Sequence, residues 1–250
     1  MISISIVSHG QGNLARDVLA DLAGLVADCR FEVILTRNIP EVFPFAVADF
    51  PFPLKIIENV SPKGFGENHN YAYQQATGKH FCVMNPDIRI AKNPFIPLLD
   101  VLERQKAAVV APAVLSPGGQ IEDSVRFFPT PYSLFRKLMG WGDGRYPFAL
   151  GDNAFEADWV GGMFMLFNSD DYKQISGFDE GFFLYYEDID ICARLWKSGM
   201  RVMACPGSQV IHDARRTSHR NLKYMRWHVA SIVRYLGKHA FRGPKVREPG

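Results

Sequence analysis

Ile2, Ile4 and Ile6 alternate with Ser3 and Ser5 until the run ends at Ser8-His9-Gly10, and Leu14, Val18, Leu19, Leu22 and Leu25 then recur at helical spacing. This pattern predicts a strand, a loop and a helix. Residues 31–35 and 54–57 read as the next two strands, the second after a proline-rich connection over 43–53. A helix is expected over 68–76, closed by Gly78, and a fourth strand over 80–84 that stops at Asn85-Pro86. A helix over 97–105 and a strand over 108–114 continue the alternation, which implies an α/β fold of the Rossmann-like kind: a mostly parallel central sheet flanked by helices. In such sheets ligands sit beyond the carboxyl ends of the strands. From about Phe127 the pattern loosens, and Pro129, Pro131, Gly140, Gly142, Gly144 and Pro147 mark a long loop region. A strand over 163–167, a helix from Asp188, a short strand near Val202 and a helical segment over 222–236 follow.

With 250 residues and 47% hydrophobic content the chain can bury a full core. We expect one domain over 1–218, with a nucleotide half to about 115 and an acceptor half over 116–218, then a C-terminal extension over 219–250. Net charge is only +2, yet residues 213–250 hold ten Lys and Arg against Asp213 and Glu248. That basic helical tail either rests on an anionic membrane surface or packs onto the domain. Nucleic acid is discounted, because the cations are confined to one tail without a recognised binding motif. Cys29, Cys82, Cys192 and Cys205 form no C-x-x-C pair and fit reduced thiols. No segment reaches the ~18 consecutive apolar residues of a membrane span, and the opening MISISIVSHG lacks the basic region of an export signal, so a cytoplasmic location is expected.

Four stretches carry candidate chemistry. In NVSPKGFGENHN, residues 59–70, Gly64 and Gly66 are expected to permit positive φ and close backbone approach, ahead of a helix N-terminus that favours anions. Lys63 adds charge, but a plain turn fits as well. Asp87 follows Asn85-Pro86 beyond a buried-looking strand, where a carboxylate can hold a hard divalent ion or simply complete a turn. His212, after Val210-Ile211, would project from a strand end as a partner for Asp87, with Arg215 and Arg216 beside it to pair with phosphate. In FFLYYEDIDICARLWKSG, residues 182–199, Ile189, Cys192, Ala193 and Trp196 mark a buried helical face. Helix electrostatics and an i,i+4 pair with Arg194 account for Asp190. They account less well for Glu187 and Asp188 behind a wall of aromatics, where a carboxylate becomes basic enough to accept a proton near neutral pH.

With these stretches in order, the chain resembles the family 2 inverting glycosyltransferases of the GT-A fold, particularly the bacterial rhamnosyltransferase-like members. The resemblance rests on SISIVSHG, NVSPKGFGENHN, MNPD, WVGGMFML, GFDEGFFLYYEDIDICARLWKSGMRV and VIH…S ending at Ser218. It implies that Asp87 and His212 bind Mg²⁺ or Mn²⁺, that Asp188 is the general base, and that Glu187 supports it or binds the acceptor. It implies further that Trp159, Gly161 and Gly162 border the acceptor pocket. Ser8, Gly10, Asn59, Lys63, Gly64, Gly66, Asn68, Asn70 and Asn85 would line the nucleotide site. The family usually carries Val-Asp-Asn-x-Ser after its second strand, and here the run is Leu35-Thr36-Arg37-Asn38. Arg37 thus replaces the base-reading Asp, leaving Arg37 for a phosphate or ribose and only Asn38 in place. The implied donor is dTDP-L-rhamnose, with UDP- or GDP-hexose as alternatives, and the implied acceptor is a glycan or lipid-linked saccharide of surface polysaccharide or lipopolysaccharide assembly. A silent module that binds sugar nucleotide or glycan is the reading from a different class.

Overall fold

The computed structural model describes residues 1–141, 144–213 and 222–239. Arg215, Arg216, Ser218, Gly142 and the remainder of the C-terminal extension lie outside the described residues. The elements, in chain order, are β1 (Ile2–Ser8), α1 (Gly12–Ala23), β2 (Phe31–Arg37), β3 (Leu54–Glu58), α2 (Phe65–Tyr73), β4 (His80–Met84), β5 (Ile88–Arg89), α3 (Phe95–Gln105) and β6 (Ala107–Leu115). They continue with β7 (Val125–Arg126), α4 (Pro131–Leu138), β8 (Phe155–Glu156), β9 (Trp159–Val160), β10 (Phe164–Asn168), α5 (Ser169–Gln174), α6 (Glu187–Lys197), β11 (Arg201–His212) and α7 (Leu222–His239).

Nine strands form the central sheet, in the order β3-β2-β1-β4-β10-β6-β11-β5 with β8 also paired to β11. The first four are mutually parallel, as are β6 and β11. β10, β5 and β8 run against them. β7 and β9 make a separate two-stranded ribbon. The α/β architecture with a mostly parallel sheet is therefore present.

The Ile-Ser alternation of β1 explains why helices cover both faces. Ile2, Ile4 and Ile6 join α1 and α3 in one buried cluster. Ser3 and Ser5 face the other side, fully buried, and both are satisfied. Ser3 Oγ donates to Glu32 at 2.6 Å and accepts the Thr77 and Gly78 N–H groups; Ser5 Oγ lies 2.8 Å from His69 Nδ1 on α2. The second cluster unites Phe81 and Val83 of β4 with Tyr172, Phe178, the inner face of α6 and Tyr235 of α7.

Three expectations about the elements change. The helix expected over 68–76 spans Phe65–Tyr73, because its first turn holds Gly66 and reads in sequence as loop. The short strand near Val202 is the twelve-residue β11, whose pairing with β6 shifts register between Cys205 and Gln209 around Pro206-Gly207. The supposed loop after Phe127 contains α4, where Pro131 takes the first helical position and Thr130 and Ser133 exchange capping bonds of 2.8 and 3.0 Å. Helix α7 packs onto the domain through Ser231, Tyr235 and His239, all buried.

Candidate active site

The carboxyl ends of the first four strands collect Ser8, Asn38, Asn59 and Asn85 at one sheet edge. Asn38, Asn59 and Asn68 form an amide network there. Asn59 Nδ2 donates to Asn38 Oδ1 at 2.9 Å and to Asn68 Oδ1 at 2.7 Å, while Asn38 Oδ1 accepts the Lys63 N–H. Asn38 Nδ2 and Asn68 Nδ2 both donate to Lys63 O. The network folds residues 59–64 over the strand ends. Asn70 is engaged elsewhere: its amide bonds Tyr172, Glu180 and the Phe178 backbone, fastening α2 to the acceptor half.

Gly64 and Gly66 do not adopt the expected positive φ, which Gly10 does at +75°. They serve close approach instead. A Cβ on Gly64 would stand 2.8 Å from Phe183 O, and one on Gly66 would stand 2.6 Å from Phe178 Cβ. Phe65 N–H also donates to Phe183 O at 2.9 Å, so the loop is sewn to the segment that leads into Glu187. Ser8 Oγ accepts the Gln11 N–H, Gly10 N–H donates to Glu41, and Lys63 Nζ sits 3.3 Å from Glu67 and over the Tyr71 ring. The Arg37 guanidinium pairs with Glu58 at 2.9 Å and stacks on Phe43, and its buried Nε has no hydrogen-bond partner. Arg37, expected from the sequence to contact a phosphate or ribose, is thus held at the end of β2 by a pair with the exposed Glu58 carboxylate.

Asp87 and His212 meet because β5 pairs antiparallel with the end of β11, His212 opposite Ile88, and Asp213 N–H donates to Asp87 O at 2.9 Å. His212 Nε2 lies 3.3 Å from Asp87 Oδ2, and Nδ1 lies 2.8 Å from Glu122 Oε2. Burial alone would lower the imidazole pKa, but hydrogen bonds and charge from Asp87 and Glu122 raise it to about 9. Among the described residues Asp87 Oδ1 is buried without a hydrogen-bond partner. An orphan carboxylate oxygen beside an oriented imidazole fits a divalent ion, with Glu122 as the second-layer carboxylate that fixes the ring. Among the described residues no set of three or more His, Cys, Asp or Glu is arranged to hold a metal ion. Two protein donors suit a hard ion that draws its other ligands from water and substrate phosphates.

The second half of the chain opens as a cleft of about 550 Å³, whose lining includes Trp159, Tyr185, Tyr186, Glu187 and Asp188 together with Arg126, Arg136 and Arg145. Tyr185 and Tyr186 both take φ of 70°, a left-handed conformation that costs roughly 1–2 kcal/mol per non-glycine residue. They are held there by α7: Tyr186 packs on His228 and Tyr235, Tyr185 packs on His228, and Ser231 Oγ donates to Leu184 O. This turn aims the first residues of α6 into the cleft. Asp188 Oδ2 accepts the Gly162 N–H at 3.0 Å and Oδ1 accepts the Ile189 N–H at 2.8 Å. A Cβ on Gly162 would meet the Phe65 ring at 3.2 Å, a tight contact, and Asp188 Cβ at 3.5 Å, an ordinary one, so glycine there makes room for the Phe65 ring of α2. Gly161, whose N–H donates to Ser124 O, ties the same turn to β7, and Trp159 Nε1 donates to Phe127 O.

Burial raises the pKa of both carboxyls, and the charge of Asp188 raises Glu187 further. The two are not equivalent. Asp188 has two backbone N–H donors and the field of Arg126, whereas Glu187 Oε2 is buried with no partner. The shared proton therefore belongs on Glu187, leaving Asp188 an ionised, basic carboxylate at the cleft.

Asp190 is more than a helix-surface partner of Arg194. It is fully buried and also accepts from His239 and Lys238 of α7, each at 2.7 Å. Glu122, Arg126, Arg136, Arg145 and this latch went unread in sequence, since no local spacing brings them to the site; the Thr130-Pro131-x-Ser133 cap was the available signal for α4.

The profile described as "Glycosyl transferase family 2" matches residues 3–175, and one described as "N-terminal domain of galactosyltransferase" matches residues 153–220. The chain is 28% identical to the rhamnosyltransferase WbbL of Escherichia coli K12, over 95% of this chain and 93% of that protein. It is 28% identical to an N-acetylglucosaminyl-diphospho-decaprenol L-rhamnosyltransferase of Mycobacterium tuberculosis over 56% of this chain, spanning about half (48%) of that relative. In fold it matches GalNAc-T7, solved with UDP, GalNAc and Mn²⁺, at a TM-score of 0.67 and 15% identity, over 88% of this chain and 44% of that one. The mannosyltransferase PcManGT of Pyrobaculum calidifontis, solved with GDP-Man and Mn²⁺, matches at 0.65 and 15% identity, over 99% of this chain and 65% of that one. The mostly parallel sheet thus matches the fold of known glycosyltransferases, and with the family profile covering residues 3–175 the chain belongs to glycosyl transferase family 2.

Proposed function

We propose that this glycosyltransferase moves L-rhamnose from dTDP-L-rhamnose to a hydroxyl of a glycan or lipid-linked saccharide, with inversion at the anomeric carbon, in surface polysaccharide assembly at the cytoplasmic face of a membrane. The observation that carries the reading is Asp188, a half-buried carboxylate fixed by the Gly162 and Ile189 N–H groups in the lining of the acceptor cleft. In that position it takes the proton of the attacking hydroxyl as the new bond to the anomeric carbon forms. The bond from that carbon to the diphosphate oxygen breaks, and its electron pair leaves on the diphosphate. Asp87 and His212 would hold the divalent ion, which offsets charge on the leaving diphosphate when bound. Glu187, carrying the shared proton, keeps a second negative charge away from the base. Ser8, Gly10, Asn38, Asn59, Lys63, Gly64, Gly66, Asn68 and Asn85 would form the nucleotide edge, with Asn70 holding α2 in place behind it. Trp159, Gly161 and Gly162 would border the acceptor.

The names of the two rhamnosyltransferase relatives support rhamnose as the sugar. A thermal-shift panel of dTDP-, UDP- and GDP-sugars with and without Mn²⁺ tests the donor. Stabilisation by dTDP-L-rhamnose in the presence of Mn²⁺ is expected; a larger shift with a UDP- or GDP-hexose would replace the donor while leaving the chemistry of Asp188 standing.

A further inference from the structure

Helix α4 presents an apolar stripe that no part of the described protein covers. Tyr132, Phe135 and Met139 recur at i, i+3 and i+7 and are 70%, 54% and 50% exposed; Trp141, just beyond, is 60% exposed. Four large apolar side chains within ten residues are not the scattered exposure of an ordinary surface. The helix is built to hold them outward: the Thr130 and Ser133 caps fix its start, and Arg136, from the neighbouring row, closes its end by donating to Trp141 O at 2.5 Å.

The place of this stripe gives it meaning. Ser133, Arg136 and Trp141 line the acceptor cleft, so the stripe lies at the rim of the cavity that leads to Asp188. Helix α7 also contributes His228 to the lining, and its own outer row, Met225, Val229 and Val233, is exposed at i, i+4 and i+8 beside exposed Arg226. Charge on the two helical segments has one sign, while Glu187 and Asp188 lie deeper in the lining and Asp123 pairs with Arg126 and Arg145 behind the stripe. From Ser124 to Gly142 the sequence holds no acidic residue, and α7 from Leu222 to His239 holds none either. Arg136 and Arg145 line the cleft behind the stripe. Aromatic and aliphatic knobs backed by arginines, with no carboxylate among them, match the boundary between headgroups and acyl chains of an anionic bilayer. A protein partner of ordinary composition would call for some acidic or neutral polar rim.

We propose that α4, with the outer row of α7 as a second footing, is the surface by which the enzyme docks on an anionic membrane, setting the mouth of the acceptor cleft at the headgroup plane. The C-terminal basic segment is then not the main apolar contact, since the inner face of α7 is engaged by the domain and the largest exposed rings are on α4. The idea takes its purpose from the lipid-linked reading of the acceptor, but the surface itself is defined without it.

Sedimentation with vesicles of phosphatidylethanolamine and phosphatidylglycerol at 7:3 tests the surface without donor or acceptor. The full chain is expected to bind these vesicles and to bind pure phosphatidylcholine vesicles at least tenfold more weakly. The triple variant Tyr132→Ser, Phe135→Ser, Met139→Ser should lose at least tenfold in vesicle binding while keeping the wild-type thermal shift with nucleotide and Mn²⁺. A second variant, Phe135→Trp, reports insertion directly by a blue shift of its added fluorescence on mixing with vesicles. Unchanged vesicle binding by the triple variant, or no spectral shift in Phe135→Trp, overturns the proposal. So does a wild-type dimer that the triple variant converts to monomer, which would make the stripe a contact between copies of the chain. Because these readouts need no turnover, a wrong donor or acceptor would leave them intact and show only in the sugar-nucleotide panel.

Discussion

Replacing Asp190 by Asn tests whether α7 is part of the catalytic architecture. The side chain is fully buried and accepts from Arg194 Nε, His239 Nε2 and Lys238 Nζ, each at 2.7 Å. The neutral amide keeps the shape and one or two hydrogen bonds, but leaves the Arg194 guanidinium and the Lys238 ammonium without their counter-charge at a fully buried position. Removing one partner of a buried ion pair costs about 3–5 kcal/mol. Arg194 retains the carbonyls of Ile175 and Gly177, which favours the lower end, about 3 kcal/mol. For a chain of this size that is a fall in Tm of roughly 6–12 °C at pH 7. Burial alone would raise the Asp190 pKa, but the His239, Arg194 and Lys238 interactions hold it below the usual value. A depressed folded-state pKa means the stabilisation is present above the unfolded value of about 3.9 and is lost as pH falls through the lower folded value. The gap between wild type and variant should therefore be wide at pH 7 and narrow below pH 4. Urea or thermal melts across pH 3–8 measure it. A variant within 2 °C of wild type at pH 7, or a gap that widens in acid, would refute the latch.

Three further outcomes follow from the site. Glu187→Gln should keep turnover within tenfold of wild type and leave Tm unchanged or raised, because a neutral amide replaces a carboxyl already protonated; a loss as large as that of an Asp188 variant in steady-state assays would make Glu187 a functional carboxylate. Arg126→Ala removes a charge that lowers the Asp188 pKa, so the acid limb of the pH–rate profile should move to higher pH, and an unmoved limb would disconnect the two. Gly66→Ala places a methyl 2.6 Å from Phe178 Cβ and should cost about 1–3 kcal/mol of stability by denaturant titration; a neutral change would deny the close packing of α2 on the acceptor half.

What could be read in the sequence was what repeats locally. The Ile-Ser alternation of β1 and the i, i+3, i+4, i+7 face of α6 are periodic, and the strand ends followed from them. Asp87 and His212, 125 positions apart by their numbers, were brought together only through strand order, which the resemblance supplied and local pattern does not. Gly64 and Gly66 carried two expectations, positive φ and close backbone approach, because glycine has both uses, and only the packed structure separates a positive φ from a backbone that must touch Phe183 and Phe178. Asp190 looked complete with Arg194 because an i,i+4 pair is visible in sequence, whereas His239 arrives from a distant helix. β11 was cut short by Pro206-Gly207, which local rules treat as an end and the sheet absorbs as an irregularity.

The assignment of Asp188 as the base is the claim on which the proposed chemistry rests, and Asp188→Asn tests it most directly. The amide can still accept the Gly162 N–H, so the fold and the nucleotide edge should persist while the proton acceptor is gone. Single-turnover transfer is expected to fall by about 10²–10⁴-fold, with the thermal shift from sugar nucleotide and Mn²⁺ unchanged. Transfer within tenfold of wild type by a variant that binds donor normally would contradict the account.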